Sequence, residues 1–321
     1  MDEKGFHTYL QERKISAEEI TASIQIARRF EQFVEDTDKP GKDEILAFSN
    51  HLIATEENII ANYYALSRYM YFMENHEAYI AVVDLLDGSE VMDNFYKKAE
   101  AVLSTQQRDA IFKEVELPKL GLPNLEKVKI TQIVMTRLVE MADPQECHQI
   151  LSDSLRDLDE AWYDDEKKLY EESASLDDFL DKNAQNFIAH LEKLRDEGRP
   201  FFTQYITDDV VEYVRNEPLI ARGVREGNIL YEVKIPHQTS DFLTATDDNE
   251  KRYYYCHCPW VKESLKNKRS DIPATFCNCS AGFHKKRWET IFNQKLKADV
   301  IESVLQGDDW CKIAIYLPEG I

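Results

Sequence analysis

The chain has 321 residues, 43% of them hydrophobic, enough for roughly two or three domains with buried cores, which excludes wholesale disorder. Sixty acidic against 39 basic side chains leave a net charge of −21, which repels phosphate backbones and anionic membranes, so nucleic acid is not an expected partner. No stretch reaches the ~20 apolar residues of a membrane span and residues 1–10 lack the apolar core of a signal peptide, so a soluble, cytoplasmic protein with no membrane contact is expected.

Residues 1–88 read as a helical bundle. Ser16 and Glu19 are spaced for a capping box, and Ile20, Ile24, Ala27, Phe30 and Val34 then recur at helical spacing. Pro40-Gly41 breaks the pattern, Asp43 to Ala54 resumes it, Thr55 is placed to cap a Tyr-rich helix through Asn75, and Ala78 to Leu86 ends at Asp87-Gly88. The order Phe6-His7-Thr8-Tyr9-Leu10, then Ile15-Ser16 and Arg29-Phe30-Glu31-Gln32-Phe33, resembles the helical core-binding domain of tyrosine recombinases. That resemblance implies a helical fold that grips DNA through basic residues. Residues 1–100, with 10 basic and 20 acidic side chains, do not supply that charge, and a scaffold or interaction module is the expected role.

From 89 to 217 the helical reading continues, interrupted at Leu117-Pro118 and Leu122-Pro123, as a region expected to pack on the C-terminal domain. The acidic run Asp157 to Glu172 reads as a solvated helix face.

Residues 218–321 change character. Asn228 to Ile235 and Arg252 to Cys258 read as strands joined by the polar segment Thr239 to Glu250, Lys262 to Lys268 as a short helix and Ser280 to Asn293 as a longer one. Lys295 to Leu317 reads as a hairpin turning at Gln306 to Asp309, with Val304 opposite Cys311 and Glu302 opposite Ile313. The expected fold is therefore a mainly α N-terminal region followed by an α+β domain with an antiparallel sheet.

Five of the six cysteines fall in the last 66 residues, and residues 251–321 carry 12 basic and 8 acidic side chains, the one positive region of the chain. Cys256-His257-Cys258 and Cys277-Asn278-Cys279 form two Cys-x-Cys pairs, and in a reducing cytosol such clustering points to a sulfur-rich metal shell or to thiol chemistry before disulfides. Glu302 alternates in phase with Leu296, Ala298 and Val300, which predicts a buried carboxylate beside the thiolates, on the same face as Cys311. Cys256, Cys258, Cys277, Cys279, Glu302 and Cys311 are thus the candidate ligands of a zinc ion. His257 is expected on the opposite face from its flanking cysteines, and His284 in simple packing beside Trp288. Trp260, Trp288, Trp310 and Phe283 are candidates for an aromatic pocket but more simply core. Lys262, Lys266, Lys268 and Arg269, with Lys285 to Arg287, suit docking against the chain's own acidic helices.

Cys279-Ser280-Ala281-Gly282-Phe283, Trp288, Glu302, Gly307-Asp308 and Cys311-Lys312-Ile313 resemble the 4-vinyl reductase domain, which also forms the ligand-sensing part of phenol-responsive activators. The resemblance implies zinc held beside an enclosed pocket for a small molecule, by Cys277 or Cys279, Glu302 and Cys311. Leu305 stands where that family has a further cysteine, so Cys256 or Cys258 would have to replace it. The order Cys-x-Cys-Pro, Cys-x-Cys, Gly-Asp-x-x-Cys and Leu-Pro is also similar to bacterial proteins allied to L-2-amino-thiazoline-4-carboxylic acid hydrolases. The expected function is a small-molecule binding or sensing protein with a zinc-organised, cysteine-rich domain, with room for a homodimer. The alternative is a hydrolase or thiol-dependent enzyme for a small carboxylated heterocycle or thiol compound, with Cys277 or Cys279 as nucleophile.

Overall fold

Local signals start the first helices. In this computed structural model, which describes residues 1–34, 40–153, 155–266 and 270–321, the Glu19 amide donates to Ser16 Oγ at 3.3 Å and the Ser16 amide to Glu19 Oε2 at 3.4 Å. This capping box opens the helix Ala17–Phe33. Thr55, expected to open the Tyr-rich helix, instead closes Lys42–Ala54, because its hydroxyl turns back to the His51 carbonyl at 3.0 Å. The Tyr-rich helix is Ile60–Phe72.

The chain divides into two compact units, Met1–Ser89 with Leu117–Lys127, and Glu90–Glu116 with Val128–Ile321. In the first, Phe6, Phe30, Phe48, Leu52, Tyr63, Leu66 and Tyr69 form a core between the helices Glu3–Glu12, Ala17–Phe33, Lys42–Ala54, Ile60–Phe72 and His76–Leu86. The returning segment 117–127 is fastened to it at Gly121. Ser49 Oγ donates to the Gly121 carbonyl at 2.7 Å and lies 2.8 Å from Tyr63 Oη. Gly121 has φ +85°, and a Cβ there would stand 1.7 Å from Tyr63 Oη, so only glycine fits.

The second unit carries the sheet. A small hairpin, β1 (Pro200–Phe201) and β2 (Gln204–Tyr205), precedes an antiparallel four-stranded sheet of β3 (Val224–Glu226), β4 (Ile229–Val233), β5 (Lys297–Glu302) and β6 (Lys312–Tyr316) in the order β3-β4-β6-β5. Leu230, Ala298, Ile313 and Ile315 point from the sheet onto Ala281, Trp288 and Ile291 of the helix Asn278–Phe292, and onto Leu176, Phe179 and Leu180 of the helix Leu176–Asp196. The mainly α chain with a C-terminal antiparallel sheet is thus the fold observed. No described helix is long and apolar enough to cross a membrane.

Two local expectations are corrected. Arg252 to Cys258 is not a strand. Asp247 Oδ1 accepts the Asn249 and Glu250 amides at 2.9 and 3.1 Å, and this cap starts a helix, Asp248–Tyr255, that overrides the strand preference of Tyr253 to Tyr255. The hairpin register also differs. Ala298 pairs with Ile315 and Val300 with Ile313, then a bulge intervenes and Glu302 pairs with Lys312.

The acidic run at 157–172 is only partly a solvated face. Glu160 pairs with Lys286, and Glu166 Oε2 accepts from Arg287 Nε at 2.6 Å, so part of it docks on the basic turn of Asn278–Phe292. Lys268 and Arg269 lie outside the described residues.

Candidate functional site

Three short segments bring five cysteines to one place. Cys256 caps the C-terminus of Asp248–Tyr255, and the Cys258 carbonyl accepts from the Lys262 amide at 2.9 Å at the start of the 3₁₀ helix Lys262–Lys266. Cys277 ends the 3₁₀ helix Ala274–Cys277 and leads into Asn278–Phe292, whose first turn carries Cys279. Cys311 stands directly before β6. Together they line a cavity of about 70 Å³, walled also by Trp260, Phe276, Phe283 and Lys234. All six cysteines are free thiols, and Cys147 lies apart, buried in the helix Pro144–Ser152.

Burial sets the chemistry of these thiols. It pushes Cys256 up to about 12, with Cys311 adding to the effect, and raises Cys258 and Cys277 well above the usual thiol value and Cys311 more moderately. Neighbouring cysteines add to the shift at Cys258 and Cys277. At neutral pH these four are protonated. Ser303 Oγ donates to Cys277 Sγ at 3.0 Å and also reaches Cys311. The Lys234 ammonium lies 4.3 Å from the Phe283 ring centroid.

Glu302 does not join them. Its side chain is 38% exposed, accepts from Trp310 Nε1 at 2.8 Å and stands 4.0 Å from Lys312. The bulge after Val300 reverses the alternation, so Glu302 leaves the apolar face and the fully buried Ser303 takes the inward place. Trp310 is correspondingly outside the cavity, and Trp288 is core.

The histidines are more tightly held than expected. His257, on the cavity wall rather than an opposite face, lies 2.6 Å from the Ile235 carbonyl, and burial drives it well below its usual value. His284 Nδ1 lies 2.8 Å from Glu232 Oε2, while Glu232 Oε1 accepts from Trp288 Nε1 at 3.0 Å and Arg287 at 3.1 Å. Burial alone would raise Glu232, but the His284 bond and the Arg287 charge hold it below the usual carboxylate range. Burial lowers His284. Its buried Nε2 has no partner among the described residues, which suits a neutral ring donating from Nδ1 to the carboxylate.

Residues 238–321 match a family model described as a family of unknown function (DUF6144). No curated protein and no solved structure matches the chain. The matched segment holds all five clustered cysteines and Ser303, whereas Lys234 and Glu232 lie before it.

Soft sulfur donors are the right kind for zinc. Their arrangement is a separate matter: among the described residues, no three His, Cys, Asp or Glu side chains are placed to hold one ion. Ser303, Lys234 and Glu232 had no individual sequence signal. Ser303 needs the bulge, and the other two sit on a strand whose neighbours are set by long-range pairing.

Proposed function

We propose that the C-terminal region is a small-molecule binding or sensing module centred on the cysteine-lined cavity, with zinc as its organising ion. The observation that carries this reading is the convergence of five thiols from three separate segments on one cavity. A core built for packing alone has no need of five sulfur atoms beside one small space.

Volume narrows the occupant. About 70 Å³ is less than half the ~150 Å³ of an apolar cavity that holds benzene. An ion matches that space, whereas an aromatic ligand requires the wall to open. Zinc uptake in turn requires buried thiols to lose their protons and draw together, so it is coupled to pH and to local rearrangement.

Metal analysis of protein purified anaerobically without an affinity tag tests this reading, with about one equivalent of zinc expected. Less than about a tenth of an equivalent, unrestored by added zinc, removes the metal from the proposal. The nucleophilic-thiol alternative has weaker support, because the buried Cys277 thiol is held protonated and bonded by Ser303.

A further inference from the structure

A second, wider cleft lies between the helix Pro144–Ser152, the start of β5 and one face of Asn278–Phe292. It measures about 690 Å³, ten times the thiol cavity and within the range of small-molecule sites. His148, Ser152, Asp299 and Lys285 all line it.

Three of these form a hydrogen-bonded chain. His148 and Ser152 are four residues apart on one helix face, with Ser152 Oγ 3.4 Å from His148 Nδ1. His148 Nε2 stands 2.9 Å from Asp299 Oδ1 and 3.1 Å from the Ala298 carbonyl. Both partners of Nε2 only accept, so Nε2 carries the proton and Nδ1 is left to accept from the serine hydroxyl. Asp299 is itself fixed. Burial alone would raise it, but Lys297 at 2.8 Å and Tyr316 hold its carboxyl below the usual range. It therefore stays ionised and orients the ring. Lys285 makes no hydrogen bond or ion pair with a described residue, and burial lowers its ammonium. It is a positive group with unspent donors, facing the same cleft.

We infer that Ser152, His148 and Asp299 are the nucleophile, base and positioning residue of a serine-hydrolase centre for small carboxylic esters, with Lys285 opposite the developing oxyanion. The roles follow those of a Ser-His-Asp triad with the two ring nitrogens exchanged. Ser152 Oγ bonds to the ester carbonyl carbon as its proton passes to His148 Nδ1, and the carbonyl pair moves onto oxygen. Collapse re-forms the carbonyl and breaks the bond to the alcohol, which leaves with the proton from His148. Water repeats the sequence on the acyl-serine, releasing the carboxylic acid and restoring Ser152. Nothing is oxidised, and water is the only co-reactant.

An alkyl fluorophosphonate tests this in the full-length protein, because an activated serine displaces fluoride to form an Oγ–P bond. Intact mass and peptide mapping should find one phosphonyl group, on Ser152. The adduct should be absent from Ser152→Ala and form about a hundredfold more slowly in His148→Gln, both folded by circular dichroism. A chain that is merely structural glue between helix and sheet leaves Ser152 unlabelled. That result, or labelling of Ser152 that does not depend on His148, overturns the inference.

Discussion

Glu232 is a buried carboxylate shared by three side chains of one helix. It is 7% exposed and holds His284, Arg287 and Trp288 at once, so no water can replace a lost partner. Glu232→Gln removes the carboxylate shared by His284, Arg287 and Trp288 while Arg287 keeps Glu166, and should cost about 1 to 3 kcal/mol in urea unfolding. Glu302 is the opposite case. Half-buried and bonded only near the turn, it should tolerate Glu302→Gln within about 0.5 kcal/mol and with metal content unchanged. Sequence alternation ranks these two glutamates the wrong way round. Glu302 is in phase with its apolar neighbours on paper, and one extra residue in the strand undoes that phase. Glu232 looks like any strand glutamate until β4 is laid under Asn278–Phe292. The cysteines were legible because clustering survives any error in register, while the partners Ser303 and Lys234 depend on where the chain folds back.

At the scale of elements, what was legible is whatever local chemistry decides. Ser16 and Glu19 fix a helix start within four residues, and the heptad-scale spacing that follows needs nothing distant. The segment 252–258 misleads because three consecutive tyrosines favour a strand, whereas the Asp247 cap lies outside their immediate neighbourhood. Asp247→Ala should therefore lower stability by about 1 kcal/mol and shift thiol reactivity at Cys256 and Cys258, which that helix positions. Faster labelling of these two cysteines by a neutral alkylating reagent, against unchanged Cys147, is the measurement. Gly121→Ala places a methyl against Tyr63 and Ser49 at a positive φ and should cost at least about 2 kcal/mol, read as a lowered Tm.

For the whole molecule, acid is the informative stress. His257 and His284 are held below their ordinary value of 6.5, so as pH falls through that value the unfolded chain takes up protons first and stability begins to drop. Glu232, held below 4.5, contributes stability that is present above 4.5 and lost as pH falls toward its folded value. Urea midpoints measured from about pH 7 down to about pH 3 should fall in two stages, and Glu232→Gln should flatten the lower one. The division into two units has a consequence for how the protein is made. The N-terminal bundle is not finished when residue 89 leaves the ribosome, since the loop that lays Gly121 against Ser49 and Tyr63 has yet to emerge. Until some thirty further residues emerge, Ser49 lacks its carbonyl partner, and a truncation drawn at the apparent end of the helices discards the piece that seals them.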